Sequence, residues 1–571
     1  MRVLAFNVAH DSSVCSYVDG QIEFYCKEER LTREKRDDCP FKALDLYHQQ
    51  NFGPIDHILY HCPSSMPPEG ILNDIFKILE KYISKKFDKK LNKFDDMRHH
   101  QCHASSAFYN SGFSTALVFV IDRNGSMFFN DDRYIGRESE SVYKVSYPHR
   151  FIPLYKSFQV QDRANRFIDK SNIENYYKGK CSLYNERTPK ISISNEFGIV
   201  RVYEAATTLM NQDALENGKT MGLSSYGSDD GDYPSLFLDG VPISNYFDII
   251  TERKSQPTIF DGYVRHIIRD INQDNYQLYA DKAKHVQLET QKESLRLIEE
   301  YVNKTGIQNV CITGGYGLNV VANNYYIKNL PDVNFYFDPL ADDSGVSIGA
   351  AMLKYRFATG DKKIYKQKDN FYHYYKKSNM VIWPRNHWPK EDKTINDVVD
   401  ILKDQKVVAI FDGAPEAGPR ALGHRSLLFD PRNKDGKDLV NTLKKREWYR
   451  PFAGVILEDY FSEYFETLGL SSSEYMTINF DCKDKTRDYV PSIVHVDNTC
   501  RIQTVNSGFL FDLLKEFYNQ TGCPMLLNTS FNLAGDPLIQ SEDDAIEFID
   551  KVGDQPVFGG VYFVDENYLV T

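Results

Sequence analysis

The residues best equipped for chemistry begin with Met97-Arg98-His99-His100-Gln101-Cys102-His103-Ala104. His99 and His103 are four apart, so on a helix they share a face. Two imidazoles at that spacing can hold one divalent ion, and imidazole suits iron, zinc or nickel. A catalytic first-row metal would need carboxylates to complete its shell. Asp122 and the Asp342-Asp343 pair, at the ends of apolar runs, are the candidates. The competing reading is that three nearby histidines form a solvated polar face.

A second group is Gly418-Pro419-Arg420-Ala421-Leu422-Gly423-His424-Arg425-Ser426, followed by Lys444, Lys445, Arg446 and Arg450-Pro451-Phe452. Guanidinium forks read phosphate and carboxylate in bidentate fashion. Cations converging in this way point to a polyanionic small substrate, such as a nucleoside triphosphate plus another phosphate. The alternative is a salt-bridged helix face with Glu416, Asp430 and Glu447 as partners. A third group, Thr529-Ser530-Phe531-Asn532, follows the short apolar run Pro524-Met525-Leu526 and offers hydroxyls and an amide to a small polar ligand. It also fits an ordinary polar turn. Residues 495–503 alternate like a strand, which would put Asp497, Arg501 and Gln503 on one face together with His495.

The elements that position these groups read as α/β. Residues 2–7 and 14–18 are strand-like, separated by His10-Asp11-Ser12-Ser13, and Asp19-Gly20 is a hairpin signal leading into residues 21–26. The pattern returns at 115–121, with Asp122, Asn124-Gly125 and a second run at 126–129. Two strand–acidic turn–strand units predict two related ribonuclease-H-like lobes with a cleft between them. Residues 310–313 run into Gly314-Gly315 and a helix carrying Asn319 and Asn323. A glycine pair there lets backbone approach a nucleotide, and a helix N-terminus favours phosphate; a plain turn is the other reading. Residues 356–393, rich in Lys, Tyr and Asn, read as a connector between a first domain at 1–355 and a second at 394–571.

Composition excludes several classes. Of 571 residues, 42% are hydrophobic and 26% charged, as in ordinary globular proteins rather than disordered or fibrous ones. No run reaches the length of a membrane span, and the start lacks a signal-peptide core. The ten cysteines form no C-x-x-C pair, so reduced thiols of a cytoplasmic protein are expected. The formal net charge of -12 gives no global attraction to nucleic acid or anionic lipid.

In chain order, eight motifs stand out. They are His10-Asp11-Ser12-Ser13, Glu28-Glu29-Arg30-Leu31-Thr32, His99-x-x-x-His103-Ala104-Ser105-Ser106-Ala107, Gly218-Lys219-Thr220-Met221-Gly222-Leu223, Gly314-Gly315, Asp343-Ser344-Gly345, the 418–426 run and residues 528–532. Together, over nearly the whole chain, they resemble the O-carbamoyltransferases that decorate antibiotics and nodulation factors, the tobramycin and cephamycin enzymes among them.

The resemblance implies an actin-like ATPase fold in the N-terminal part, similar to the tRNA threonylcarbamoyltransferases, and a C-terminal part similar to the YrdC family. It implies that the C-terminal site makes carbamoyl-adenylate from carbamoyl phosphate and ATP, with Mg²⁺ accompanying ATP. Arg420, Lys444, Arg446, Arg450, His495 and Arg501 would serve the phosphates, and Thr529, Ser530 and Asn532 the carbamoyl group. At the N-terminal site it implies Fe²⁺ or another first-row metal on His99, His103, Asp122 and Asp343, nucleotide contacts from Lys219, Gly222, Gly314, Gly315 and Asn319, and transfer to an acceptor hydroxyl. His10 is the first candidate for the base, with Glu216 or Asp213 second. A homodimer is a further expectation.

Two departures bear on the acceptor. The family usually has Gly after the aspartate, but here Arg123 stands there, which either disturbs the local nucleotide contact or adds a phosphate contact. An insertion is expected at about 130–200. Within it, residues 143–190 carry ten Lys and Arg against four Asp and Glu, a local balance of 10 − 4 = +6, interleaved with aromatic residues. Such a stretch suits backbone binding and base stacking, or a charged loop over the cleft. The readings are therefore a hydroxymethylated pyrimidine in DNA, 5-hydroxymethylcytosine first, which would have to be flipped out of a duplex, or a small metabolite such as a sugar or aminoglycoside. A non-catalytic actin-like nucleotide-binding scaffold is the reading from another class.

Overall fold

The computed structural model describes residues 1–8, 10–61, 71–89, 91–93, 98–130, 133–160, 190–194, 198–210, 212–228, 233, 235–238, 240–242, 271–272, 274–365 and 390–571. Two compact units are present. The first comprises 1–25 and 38–368; the second comprises 26–37 and 369–571. No local signal in residues 26–37 marked them for the C-terminal unit.

The first unit holds two sheets. In one, strands β1 (Arg2–Asn7), β2 (Ser13–Val18), β3 (Gln21–Lys27), β4 (His57–His61) and β5 (Asn92–Lys93) lie in the order β3-β2-β1-β4-β5. β1 is antiparallel to β2 and parallel to β4. The other contains β6 (Thr115–Ile121), β7 (Met127–Asn130), β8 (Arg133–Ser146), β9 (Arg150–Val160), β10 (Lys190–Ser194), β13 (Asn309–Thr313) and β14 (Asn334–Phe337). A separate small ribbon is formed by β11 (Phe237–Leu238) and β12 (Val241–Pro242). The large sheet runs β10-β9-β8-β6-β13-β14, with β6 antiparallel to β8 and parallel to β13. Each lobe thus has an antiparallel meander of three strands followed by two parallel strands, the repeated ribonuclease-H-like pattern of an actin-like fold.

The reason is local. β1 and β6 are apolar without alternation and almost wholly buried, as strands covered on both faces must be. The Asp19-Gly20 turn takes positive φ at both residues, which the hairpin twist favours. The helix Val346–Thr359 packs on β1 and β2 and against the helix His99–Ser111. Gly349 permits that approach: a Cβ there would stand 2.8 Å from the Cys102 carbonyl carbon and closer still to its oxygen.

The second unit is built on one mixed sheet of nine strands: β15 (Lys390–Asp392), β16 (Val407–Phe411), β17 (Arg425–Phe429), β18 (Ala453–Leu457), β19 (Asn479–Asp481), β20 (Thr499–Val505), β21 (Met525–Ser530), β22 (Phe558–Phe563) and β23 (Tyr568–Val570). Their order is β15-β23-β22-β16-β17-β21-β18-β20-β19.

Element boundaries differ from the sequence reading in three places. The helix Val346–Thr359 runs past residue 355. β15 already pairs with β23, so residues 390–392 belong to the second sheet rather than to a connector. The strand expected over 495–503 begins only at Thr499. Asn498 takes φ +61° and the Asp497 carboxylate accepts from the Thr499 N–H at 3.1 Å, so 495–498 is a turn. Among the described residues no helix is long and apolar enough to cross a membrane. The described cysteines form no disulfide with one another, and most of them are buried.

Candidate functional site

The first unit brings His99, His103, Asp122 and Asp343 together, with one ligand atom from each within 4.8 Å of the others. His99 Nε2 lies 3.1 Å from His103 Nε2, 3.4 Å from Asp122 Oδ2 and 3.3 Å from Asp343 Oδ1. His103 Nε2 is 3.4 Å from the same Asp343 oxygen. Ligands held about 2.0–2.2 Å from one ion stand roughly 3.0–3.5 Å apart, so two nitrogens and two carboxylate oxygens fit a first-row divalent metal. The solvated-face reading fails, because His99, His100 and His103 are all 1% exposed or less.

Four local devices hold this cluster. The helix His99–Ser111 has no side-chain N-cap of its own; instead the His99 N–H donates to Ser126 Oγ at 3.0 Å. Behind it, buried Lys156 pairs with Glu138 at 2.7 Å and bonds Ser141, which in turn meets His100 Nδ1 at 2.7 Å. His100 therefore belongs to the support rather than to the cluster, and burial pushes it down to about 3. Asp343 opens a short helical turn capped by Asp342, whose carboxylate accepts from the Ser344 N–H at 3.1 Å. Ser13 and Tyr25 then fasten that turn to the first lobe by donating to the Ser344 carbonyl at 2.8 and 3.0 Å. Finally, the Gly315 N–H donates to Asp122 Oδ1 at 3.0 Å. Gly314, at φ +83°, lies where a Cβ would stand 2.5 Å from the Ile121 carbonyl oxygen.

The charges are mutually dependent. Burial works against charge on His99, but Asp343 and Asp122 outweigh it and push the imidazole up to about 10. Burial likewise raises both carboxyls, and the imidazoles more than offset this, holding Asp122 and Asp343 below the usual range. His10 stands at the rim, Nε2 3.7 Å from Asp343 and Nδ1 3.1 Å from Asp11. Asp343 is the main reason it is pushed up to about 9; a cation on the cluster would offset that pull.

The other N-terminal candidates fall elsewhere. Glu216 pairs with Lys219 at 2.8 Å at the start of the helix Asn217–Ser224, where Gly222 is also buried, and Asp213 accepts from the Leu215 N–H. Asn319 caps the helix Val320–Asn329 through the Ala322 N–H and exchanges hydrogen bonds with Gln287. Arg123 is held by buried Glu204 at 2.9 Å. Sequence reasoning missed His61, whose Nε2 lies 3.0 Å from His99 Nδ1. Its position at the end of β4, beside β1, was the available signal.

In the second unit, Arg501, Ala453 and Asn528 form a row across β20, β18 and β21. Buried Lys444 donates to the Ser530 carbonyl, to the Asn532 carbonyl at 2.8 Å and to Asn532 Oδ1 at 3.1 Å, while Ser530 Oγ donates to Asn532 Oδ1 at 2.6 Å. Burial, then Arg446 and Arg450, pushes Lys444 well below the usual lysine range. Arg446, stacked on Phe452 at 4.5 Å, is lowered by burial and by Arg450 and Arg501. Burial pushes Arg501 down to about 10. Among the described residues, the one carboxylate paired with these four cations is Glu447, 3.5 Å from Arg450.

Of the three acids offered as partners in the salt-bridge reading, Glu447 does pair with Arg450, but the other two have other duties. Glu416 accepts the N–H groups of Leu422, His424 and Arg425 at 2.6 to 3.3 Å, and Asp430 pairs with Arg432. Glu416 thereby shapes the loop that carries Arg420, which is half-buried. Arg425 instead bonds the carbonyls of Asp412, Gly413 and His424. Thr529 lies in β21 opposite Leu427, and His495 is buried in the turn before β20.

A two-lobed actin-like unit with a buried two-histidine, two-aspartate cluster, joined in one chain to a unit with a crowded cation site, defines the class: a group-transfer enzyme. Sequence profiles described as Carbamoyltransferase N-terminus and Carbamoyltransferase C-terminus match residues 68–352 and 399–564. The chain belongs to the carbamoyltransferase family and is an enzyme that transfers carbamoyl groups.

An uncharacterized protein of Synechocystis is 27% identical, covering 94% of this chain and 92% of its own. Nodulation protein NolNO of Sinorhizobium fredii is 26% identical over 94% of this chain and 76% of its own. An uncharacterized protein of Methanocaldococcus jannaschii is 28% identical over 99% of each.

Proposed function

We propose that the enzyme makes carbamoyl-adenylate at its C-terminal, YrdC-like unit and passes the carbamoyl group to an acceptor hydroxyl at the buried cluster of its N-terminal unit. The observation that carries this reading is the four-cation site of Lys444, Arg446, Arg450 and Arg501, with Glu447 as its one paired carboxylate among the described residues. Burying that much like charge is costly unless a polyanion balances it. ATP and carbamoyl phosphate would do so.

Water cleaves carbamoyl phosphate to carbamate and inorganic phosphate. A carbamate oxygen then attacks the α-phosphorus of ATP, and pyrophosphate leaves. Neutralising and aligning these anions is most of what such a step requires. Ser530 and Asn532, fixed by Lys444, hold the carbamoyl group, with Thr529 beside them; Arg420 and His495 border the phosphates. At the N-terminal unit the acceptor hydroxyl attacks the carbamoyl carbon and AMP leaves. His10, at the rim of the cluster, takes the hydroxyl proton. Gly314 and Gly315 let backbone approach the nucleotide. A divalent first-row metal, Fe²⁺ first, on His99, His103, Asp122 and Asp343 would supply Lewis acidity toward the carbamoyl carbonyl.

For the acceptor, 5-hydroxymethylcytosine in DNA stands slightly ahead, on the basic and aromatic character of residues 143–190. A small-metabolite hydroxyl is the second reading, and one observation favours it. In the described part of that stretch Tyr143, Phe151, Tyr155, Phe158 and Lys156 are buried in β8 and β9, where they cannot meet a nucleic acid. Residues 161–189 lie outside the described residues.

The test is carbamoyl-phosphate-dependent ATP–pyrophosphate exchange, run beside carbamoylation of hydroxymethylcytosine DNA, the free nucleoside and a panel of sugars. Arg501→Ala should lose exchange, whereas His99→Ala should keep exchange and lose transfer. Loss of exchange in His99→Ala would overturn the two-site reading. Product on neither DNA nor nucleoside would leave the small-metabolite acceptor.

A further inference from the structure

We infer that His61 is a positioning residue for His99, fixing the ring so that its Nε2 faces Asp122, Asp343 and His103. This rests on the metal reading of that cluster. The His61 and His99 rings stack with centroids 5.1 Å apart and planes 27° apart, and His61 Nε2 lies 3.0 Å from His99 Nδ1. The opposite nitrogen, His99 Nε2, makes all the close approaches to the other three residues.

Tautomer chemistry links the two sides. A histidine that ligates through Nε2 carries its ring proton on Nδ1. Buried there, that N–H needs an acceptor, because an unmet buried donor costs free energy. His61 Nε2 is its hydrogen-bond partner among the described residues. Metal-bound imidazoles generally have such a partner, most often a carboxylate or a backbone carbonyl. Here it is a second imidazole, and the reason is charge. Asp122 and Asp343 already balance a divalent ion, so a third carboxylate behind His99 would leave a buried negative charge, whereas an imidazole adds none.

The backbone places His61 without slack. It ends β4 in register with Asn7 of β1, and its carbonyl accepts the Val8 N–H at 2.8 Å. The ring is 6% exposed. His103 has no equivalent support, since its Nδ1 is buried without a hydrogen-bond partner among the described residues. Loss of His61 should therefore act through His99.

The experiment is Co²⁺ titration of the metal-free full-length chain, followed by visible absorption with a competing chelator, for wild type, His61→Phe, His61→Gln and the His99→Ala, His103→Ala double variant. His61→Phe keeps the stack but removes the acceptor and should weaken Co²⁺ binding roughly 10- to 100-fold. His61→Gln restores an acceptor and should recover most of the loss. The metal-free Phe and Gln variants should melt together. Unchanged affinity in His61→Phe, or equal losses in the Phe and Gln variants, overturns the inference while leaving the metal reading standing. A wild type that binds no more Co²⁺ than the double variant overturns the metal reading, and the role of His61 with it.

Discussion

If the cluster of His99, His103, Asp122 and Asp343 holds a metal, Gly349→Ala should loosen it from 6 residues away in sequence from Asp343, without touching any of the four. Gly349 lies in the helix Val346–Thr359 directly against the backbone of the helix His99–Ser111. A Cβ there would stand 2.8 Å from the Cys102 carbonyl carbon and 3.0 Å from the Ser106 nitrogen. Carbon atoms prefer roughly 3.5–4.0 Å, so the helices must part by about 1 Å at this point. One of them carries His99 and His103; the other follows Asp343. Metal–ligand distances tolerate only about 0.2 Å, so a shift of this size pulls the imidazoles from the carboxylate. The expected result is at least a tenfold loss of Co²⁺ affinity together with about 1–3 kcal/mol of overpacking strain, read by chelator competition and by thermal unfolding. Gly360→Ala is the control. It ends the same helix at φ +65° with open space around it, so it should cost stability through backbone strain and leave metal affinity alone. If Gly349→Ala binds Co²⁺ as wild type does, the cluster does not depend on that helix contact.

Lys444→Met should lower carbamoyl-phosphate-dependent pyrophosphate exchange by about a hundredfold or more, as loss of one donor from a charge-stabilising site does. Transfer from carbamoyl-adenylate supplied directly should survive. Glu416→Gln replaces a carboxylate that receives three backbone N–H groups and should destabilise the second unit by about 1–3 kcal/mol; an unchanged melting curve would refute that anchoring role. If residues 143–190 bind DNA, affinity should fall steeply with salt, and neutralising Lys178 and Lys180 should weaken binding without changing exchange. Salt-independent binding would exclude the DNA acceptor.

The four residues of the buried cluster were legible because they are written in short-range spacing and at strand ends. A separation of four residues on a helix leaves few arrangements for His99 and His103, and an apolar strand ending in Asp122 points that carboxylate off the sheet edge. The hairpins repeated about 110 residues apart foretold two lobes for the same reason: strand alternation and Asp-Gly or Asn-Gly turns are local signals. Partners chosen across the chain were not legible. No local signal told that Lys219, expected among the nucleotide contacts, pairs with Glu216, or that Asn319 caps a helix. The aromatic residues of 143–158 read as a stacking surface, yet four of them fill the interior around β8 and β9.

The residue types at the two centres, the order of the units and the repeated strand pattern all follow from chain-local physics and could be read from the residues in order. Which buried groups meet one another was settled by the folded chain. His61 meets His99 from 38 positions away, Glu416 serves backbone rather than arginine, and residues 26–37 group with the second unit. Hydrogen bonds and charge pairs are satisfied by proximity in space, and proximity between distant segments exists only once the sheets have formed.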